Sequence, residues 1–239
     1  MSGLEVLFLH ALPLNGTMWD AQRSVISLQS HAPTLYHFGQ RLEEWAQRAL
    51  AMTQAKRLVL VGCSVGGSCA LEIAALAPER IAGLMLIGTK ADRRPDPEMM
   101  REAVRTLRDE GRELAWQRYW QPLFGPAASQ DVIDQARSMM MEQSAEDLAR
   151  GVEVFHSRPS RAALLPQLNC PVTVATGEHD RAPGITTSRF QAEASQRGTL
   201  QVVQDCGHYV PLERPQTLNV LLQHFLATCE GAHPARPSL

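Results

Sequence analysis

The stretch "VLVGCSVGGSCALEIAALAPERI", residues 59–81, runs from an unbroken apolar segment through a cluster of small residues into a helical pattern. The segment entering it, "RLVLVG" (57–62), is short, rich in Leu and Val and apolar on both faces, as a strand covered on both sides must be. "SCALEIAALA" (68–77), which leaves it, has helical periodicity. Ser64 therefore stands at the apex of a strand-turn-helix, within the pattern Gly62-x-Ser64-x-Gly66. A turn this tight strains the serine backbone and crowds its neighbours, so small residues are needed two positions before and after. Gly62 and Gly66 meet that demand, and Gly67 and Ser68 let the helix begin close to the sheet. A glycine-rich phosphate cradle is the competing reading, but neither G-x-x-x-x-G-K-S/T nor G-x-G-x-x-G can be laid over "GCSVGGS".

Outward from this point, strand and helix patterns alternate. "EVLFLH" (5–10), "GLMLIG" (83–88), "PVTVATG" (171–177) and "LQVVQD" (200–205) read as further buried strands, and "APTLYHF" (32–38) offers one more. "RLEEWAQRALAM" from 41 and "TLNVLLQHFLA" from 217 read as helices. The alternation predicts an α/β fold: right-handed βαβ units forming an open, doubly wound, mainly parallel sheet of about six strands. Residues 93–166 break the series, with no convincing strand. Asp96-Pro97 marks a helix start, Gly111 a stop and "SAED" (144–147) a second start of capping-box type. This region holds Trp116, Tyr119, Trp120, Phe124 and the run Met139 to Met141, more apolar bulk than a lone surface helix needs. It is expected to be a helical cap over the carboxyl edge of the sheet, inserted into a core of residues 1–92 and 167–230, with 231–239 as a loose tail. Trp19, Trp116, Trp120 and Met140 are the expected pocket residues.

The composition bounds the function. The chain has 239 residues, 44% hydrophobic and 20% charged, with a net charge of −2, which is ordinary globular usage and disfavours disordered, collagen-like or coiled-coil classes. Without a dense Lys/Arg run, nothing recommends nucleic acid as a partner. The amino-terminal apolar run is short, lacks a preceding basic region and is broken by His10, unlike a secretory signal. No stretch reaches the roughly 20 apolar residues that span a bilayer, so no membrane partner is expected. Five cysteines at 63, 69, 170, 206 and 229, without C-x-x-C spacing, indicate neither a disulfide framework nor a metal site, and a reducing cytoplasm fits them. Nothing in the sequence sets an oligomeric state.

A serine hydroxyl is a poor nucleophile unless a base removes its proton and a third group orients the base. Asp180 follows the strand "PVTVATG" and His208 follows the last strand, both at carboxyl strand ends where ligands collect in open α/β sheets. The other histidines fit less well: His224 lies in a terminal helix, His156 in the cap, His179 beside the acid, and His31, His37 and His233 lack a strand-end setting. Glu178 remains a rival to Asp180 for the acid.

These segments together resemble the α/β-hydrolase fold enzymes, in the branch of small single-domain esterases and lactonases that includes enol-lactonases. "FLHALPLNGTMWD" (8–20) resembles the family's His-Gly-containing oxyanion loop, "GCSVGG" its nucleophile elbow, and "ATGEHD" and "DCGHYVPLERP" its acid and histidine segments. The order Ser64, Asp180, His208 is the family order of nucleophile, acid and base. The resemblance implies an oxyanion hole made by the backbone N–H groups of Leu12 and Val65, and no cofactor or metal. It departs at Ala11, where the family has glycine and a negative φ is required, and at "HFGQRLEEWA", which replaces a customary Asp-x-Arg-Gly-x-Gly segment. The expected activity is hydrolysis of a small, hydrophobic carboxylic ester or lactone through an acyl-enzyme. The alternatives are a carbon–carbon bond hydrolase of ring-cleavage products, a perhydrolase with the same triad, or a non-catalytic ligand-binding homologue.

Overall fold

The computed structural model describes residues 3–93 and 96–231. Six strands, β1 (Leu4–Leu9), β2 (Ser30–His31), β3 (Arg57–Cys63), β4 (Ile81–Ile87), β5 (Val172–Gly177) and β6 (Gly198–Val203), form one sheet in the order β2-β1-β3-β4-β5-β6. Every pairing is parallel. The apolar runs dictate this: β3, β4 and β5 are buried along nearly their whole length, whereas β6, at the edge, is only half-buried. The helices are α1 (Asp20–Arg23), α2 (Leu42–Leu50), α3 (Val65–Leu76), α4 (Pro97–Arg105), α5 (Arg112–Ala115), α6 (Gln130–Met141), α7 (Ala145–Ser157), α8 (Gly184–Ala194), α9 (Val210–Glu213) and α10 (Pro215–Gly231). No described helix is long and apolar enough to cross a membrane.

One expected strand is corrected. Within 32–38 the chain forms a 3-10 turn, Leu35–Phe38, and the edge strand is the two residues before it. The backbone of this segment bonds to a side chain instead of a ladder: the Leu35 N–H donates to His10 Nε2 at 2.9 Å. The expected tail from 231 is also adjusted, because α10 runs through Gly231 and residues 232–239 lie outside the described residues.

The strand order places the site. From β1 the chain steps outward to β2, then returns to the other side of β1 for β3 and adds every later strand in that direction. The order reverses between β1 and β3, where Leu9 pairs with Gly62, and the crevice beyond their carboxyl ends is the natural ligand position in such a sheet. Between β4 and β5 no strand occurs among the described residues; α4 to α7 and two π-helical turns, Thr106–Glu110 and Trp116–Trp120, occupy the interval. The sequence signals for this segment act as read. Asp96 Oδ1 accepts from the Met99 N–H at 2.9 Å, Gly111 has φ 99°, and Ser144 Oγ accepts from the Asp147 N–H at 3.0 Å.

Helix α3 is buried from Val65 to Ala74, which forces its one acidic residue into the interior. Glu72 is 2% exposed and takes both Nε and Nη2 of Arg161 at 2.7 Å, tying the chain just before β5 to the central helix. Glu72→Ala leaves a half-buried guanidinium without its partner and lowers stability by about 2 kcal/mol. Urea unfolding of the variant beside wild type measures the loss.

Candidate active site

The turn from β3 to α3 holds Ser64 at φ 54°, ψ −117°, a conformation that costs a non-glycine residue on the order of 1–3 kcal/mol. Surrounding bonds impose it: the Ser64 N–H donates to the Ile87 carbonyl at 2.8 Å, and the Ser64 carbonyl accepts from Gly67 N–H at 3.0 Å and Ser68 N–H at 3.2 Å. The small-residue requirement is steric. A Cβ on Gly62 would collide with the Gly66 carbonyl and the Gly67 nitrogen; one on Gly66 would collide with the carbonyls of Leu9 and His10.

His208 and Asp180 meet as the sequence order implies. His208 Nδ1 lies 2.9 Å from Asp180 Oδ2, and both side chains are buried. In the neutral ring, an Nδ1–H that donates to this carboxylate leaves the lone pair on Nε2. Asp180 Oδ1 accepts from the Ala182 N–H at 2.8 Å, so both oxygens are engaged. Glu178, the rival acid, is exposed and bonds the Asp205 N–H instead. Gly88, with φ 55°, flanks the pair; a Cβ there would lie 2.9 Å from the His208 ring and 3.1 Å from Asp180 Oδ2.

A residue the sequence reading passed over fixes the histidine loop. The buried Glu213 carboxylate accepts from the N–H groups of Gly125 and Gly207 at 2.8 Å and of Tyr209 at 3.0 Å, while the His208 N–H donates to the Leu123 carbonyl at 2.9 Å. Its signal was the acid five residues after His208 in "HYVPLERP", at the first helical turn beyond the loop.

The loop after β1 is fixed equally tightly. Tyr209 Oη donates to the Leu12 carbonyl at 3.0 Å, Tyr36 Oη donates to the Leu14 carbonyl at 2.7 Å, and the Ala11 N–H reaches Met18 Sδ at 3.3 Å. Among the described residues the Leu12 and Val65 N–H groups donate to no acceptor. Ala11 keeps a negative φ, since Ser64 and Asp205 are the non-glycine residues with positive φ among those described.

A cavity of about 470 Å³ lies between the helical segment and the carboxyl edge of the sheet. Leu12, Ser64, Lys90 and His208 line it from the sheet side; Trp120, Val152 and Phe155 line it from the helices. Of the expected pocket residues, only Trp120 is there. Trp19, Trp116 and Met140 are corrected to core residues: Trp19 packs on Phe8 at 5.2 Å, Trp116 on Phe124 at 5.9 Å, and all three are at most 1% exposed. Arg118, Tyr119 and Trp120 reach the cavity from the wide turn of the π-helical segment. Cys63 and Cys69 are buried, and burial pushes both thiols upward, well clear of a reactive thiolate.

Residues 6–219 match the model of the alpha/beta hydrolase family. The chain belongs to that family. It is 25% identical over 180 residues to a 2-hydroxy-6-oxononadienedioate/2-hydroxy-6-oxononatrienedioate hydrolase of a Pseudomonas species, covering 72% of this chain and 64% of that relative, just under two thirds of its length. Among solved structures it is similar to a thermophilic esterase from Thermogutta terrifontis with malate bound, at 27% identity and TM-score 0.83, covering 95% of this chain and 90% of the other. The fold is shared with the enol-lactonase of Burkholderia xenovorans LB400, at 21% identity and TM-score 0.78, over 93% and 91% of the two chains.

The histidine that opens the loop after β1 has a measurable signature. His10 is fully buried, Nε2 accepts from the Leu35 N–H, and Nδ1 donates to the Ala11 carbonyl at 3.0 Å. Burial pulls it down to about 4, only partly offset by the bond to Ala11. The folded value lies below the unfolded value of about 6.5, so the neutral ring's contribution is present in full above that pH and is lost as pH falls toward the folded value. The loss is on the order of 3 kcal/mol at its limit. In urea unfolding from about pH 7.5 to 4.5, the stability gap between wild type and His10→Gln narrows with falling pH, as the linkage requires.

Proposed function

We propose that this chain is a serine hydrolase that cleaves small carboxylic esters or lactones through an acyl-enzyme. The observation that carries the reading is a strained Ser64 at the reversal of the sheet, sharing one cavity with His208, whose ring is bonded from behind by the buried Asp180. Ser64 Oγ attacks the carbonyl carbon while His208 Nε2 takes its proton. Asp180 holds the imidazole in the tautomer with Nε2 free and stabilises its cation. Negative charge appears on the carbonyl oxygen only as the tetrahedral intermediate forms, and the Leu12 and Val65 N–H groups are held where they can receive it. Collapse breaks the carbon–oxygen bond, and the departing alkoxide takes the proton from His208. Water then adds to the acyl-enzyme, giving its proton to His208, and the second collapse returns that proton to Ser64 Oγ and frees the acid. With a lactone, the leaving hydroxyl stays attached to the product.

The helical segment 93–166 acts as the cap. It supplies Trp120, Val152 and Phe155 as apolar cover for a short acyl group and excludes water from the oxyanion. A second reading, hydrolysis of a carbon–carbon bond in a 2-hydroxy-6-oxo-dienedioate, is favoured by the name of the Pseudomonas relative.

A fluorophosphonate probe labels wild type and fails to label Ser64→Ala; labelling that persists in the variant rejects Ser64. His208→Ala lowers kcat/KM for a short ester by roughly 10³-fold or more without unfolding the protein. Activity on p-nitrophenyl esters peaks at about two to six acyl carbons, because each methylene gains about 0.8 kcal/mol only while apolar wall remains to cover it. Trp120→Ala moves that optimum to longer chains, read as the ratio of specificity constants across the series.

A further inference from the structure

The cavity beside Ser64 has apolar walls, yet its charged lining is of one sign. Lys90, Arg118 and Arg181 line it, and no Asp or Glu does so among the described residues. Lys90 also lines the narrow recess that holds Ser64, Gly88, Phe155 and His208, so the same residue borders both the recess and the wider chamber.

Two of these cations are carried on backbone that the fold holds in place. On either side of Lys90, buried Gln191 receives the Ala91 N–H on Oε1 at 2.5 Å and donates through Nε2 to the Thr89 carbonyl at 2.9 Å; the Arg161 N–H bonds the Ala91 carbonyl at 2.8 Å. Arg181 is flanked by Asp180 and Ala182, which are joined by the bond from the Ala182 N–H to Asp180 Oδ1. The nearest carboxylate in sequence does not neutralise it, because Asp180 is 5% exposed with one oxygen on His208 and the other on Ala182. Arg118 reaches the cavity from the helical side and pairs with Glu102 at 3.1 Å.

Positive charge beside low-dielectric walls attracts and orients an anion, and guanidinium and ammonium groups are the natural partners of a carboxylate. We propose that the substrate is an anionic ester or lactone bearing a carboxylate separate from the bond that is cleaved, and that Lys90 and Arg181 bind this carboxylate. The proposal rests on the reading of Ser64 as nucleophile for its catalytic part only. It refines the hydrophobic substrate expected from sequence: the apolar wall covers the short carbon chain, and the cations take its charged end.

The test compares ethyl hydrogen glutarate with ethyl pentanoate, which have acyl chains of equal length and differ by a carboxylate in place of a methyl. Wild type prefers the hemi-ester by about tenfold or more in kcat/KM, with the preference falling as added salt screens the charges. Lys90→Gln and Arg181→Gln each reduce the ratio of hemi-ester to neutral ester by roughly fivefold or more, chiefly through KM, and Lys90→Arg restores most of it. Glutarate binding to Ser64→Ala, followed by calorimetry, reads the anion site without any chemistry. There Lys90→Gln added to Ser64→Ala weakens binding by about fivefold or more. Preference for the neutral ester, or a ratio and a glutarate affinity that neither substitution alters, overturns the proposal. If glutarate binds as described but neither ester is turned over and the probe fails to label Ser64, the nucleophile assignment has failed and the anion site stands.

Discussion

The carbonyls of Leu9 and His10 approach the Cα of Gly66 so closely that no side chain fits between them, and the rest of the site is arranged around that contact. It brings the end of β1 against the start of α3, at the place where the strand order reverses. One consequence is conformational: with Gly62 and Gly66 both pressed against backbone, Ser64 is left in a positive-φ geometry that displays its side chain above the sheet edge. The other concerns the loop after β1, which the contact brings against α3 while its Leu12 and Leu14 carbonyls are taken up by Tyr209 and Tyr36. The strain is sustained because the bonds from Ser64 to Ile87, Gly67 and Ser68, and the burial of nearly all of α3, outweigh it.

What could be read from sequence was whatever one backbone rule determines. Doubly buried parallel strands must be apolar throughout, which made β1, β3, β4 and β5 visible; β6, half-buried at the edge, still carried an apolar run, and β2 is two residues long and too short to carry a pattern. The elbow was visible because its sterics admit only small residues at Gly62 and Gly66, and the helix starts at Asp96 and Ser144 because a cap bond needs a particular side chain. The pocket was not visible. Trp19, Trp116 and Met140 are large and apolar, which suits a core as well as a cavity wall, and composition carries no direction. The segment "LYHF" has strand-forming residues, but its first N–H is claimed by the His10 ring, 25 residues earlier at the end of β1, a tertiary effect that local preference does not encode. Lys90 was within reach of the argument that found Asp180, for it too follows directly on a strand end. It was passed over because a lone lysine on a loop is ordinarily solvated.

Glu213 joins two parts of the chain that lie far apart in sequence: Gly125 from the helical segment, and the loop in which Gly207 and Tyr209 stand on either side of His208. Two of the three amides share one oxygen, Oε2, so separating Gly125 from it leaves a buried acceptor short of a donor at the very point that steadies the histidine. The helical segment and the loop that bears His208 are thereby fastened by one carboxylate. Movement of the helical segment at Gly125 and movement of the loop that bears His208 are therefore not independent.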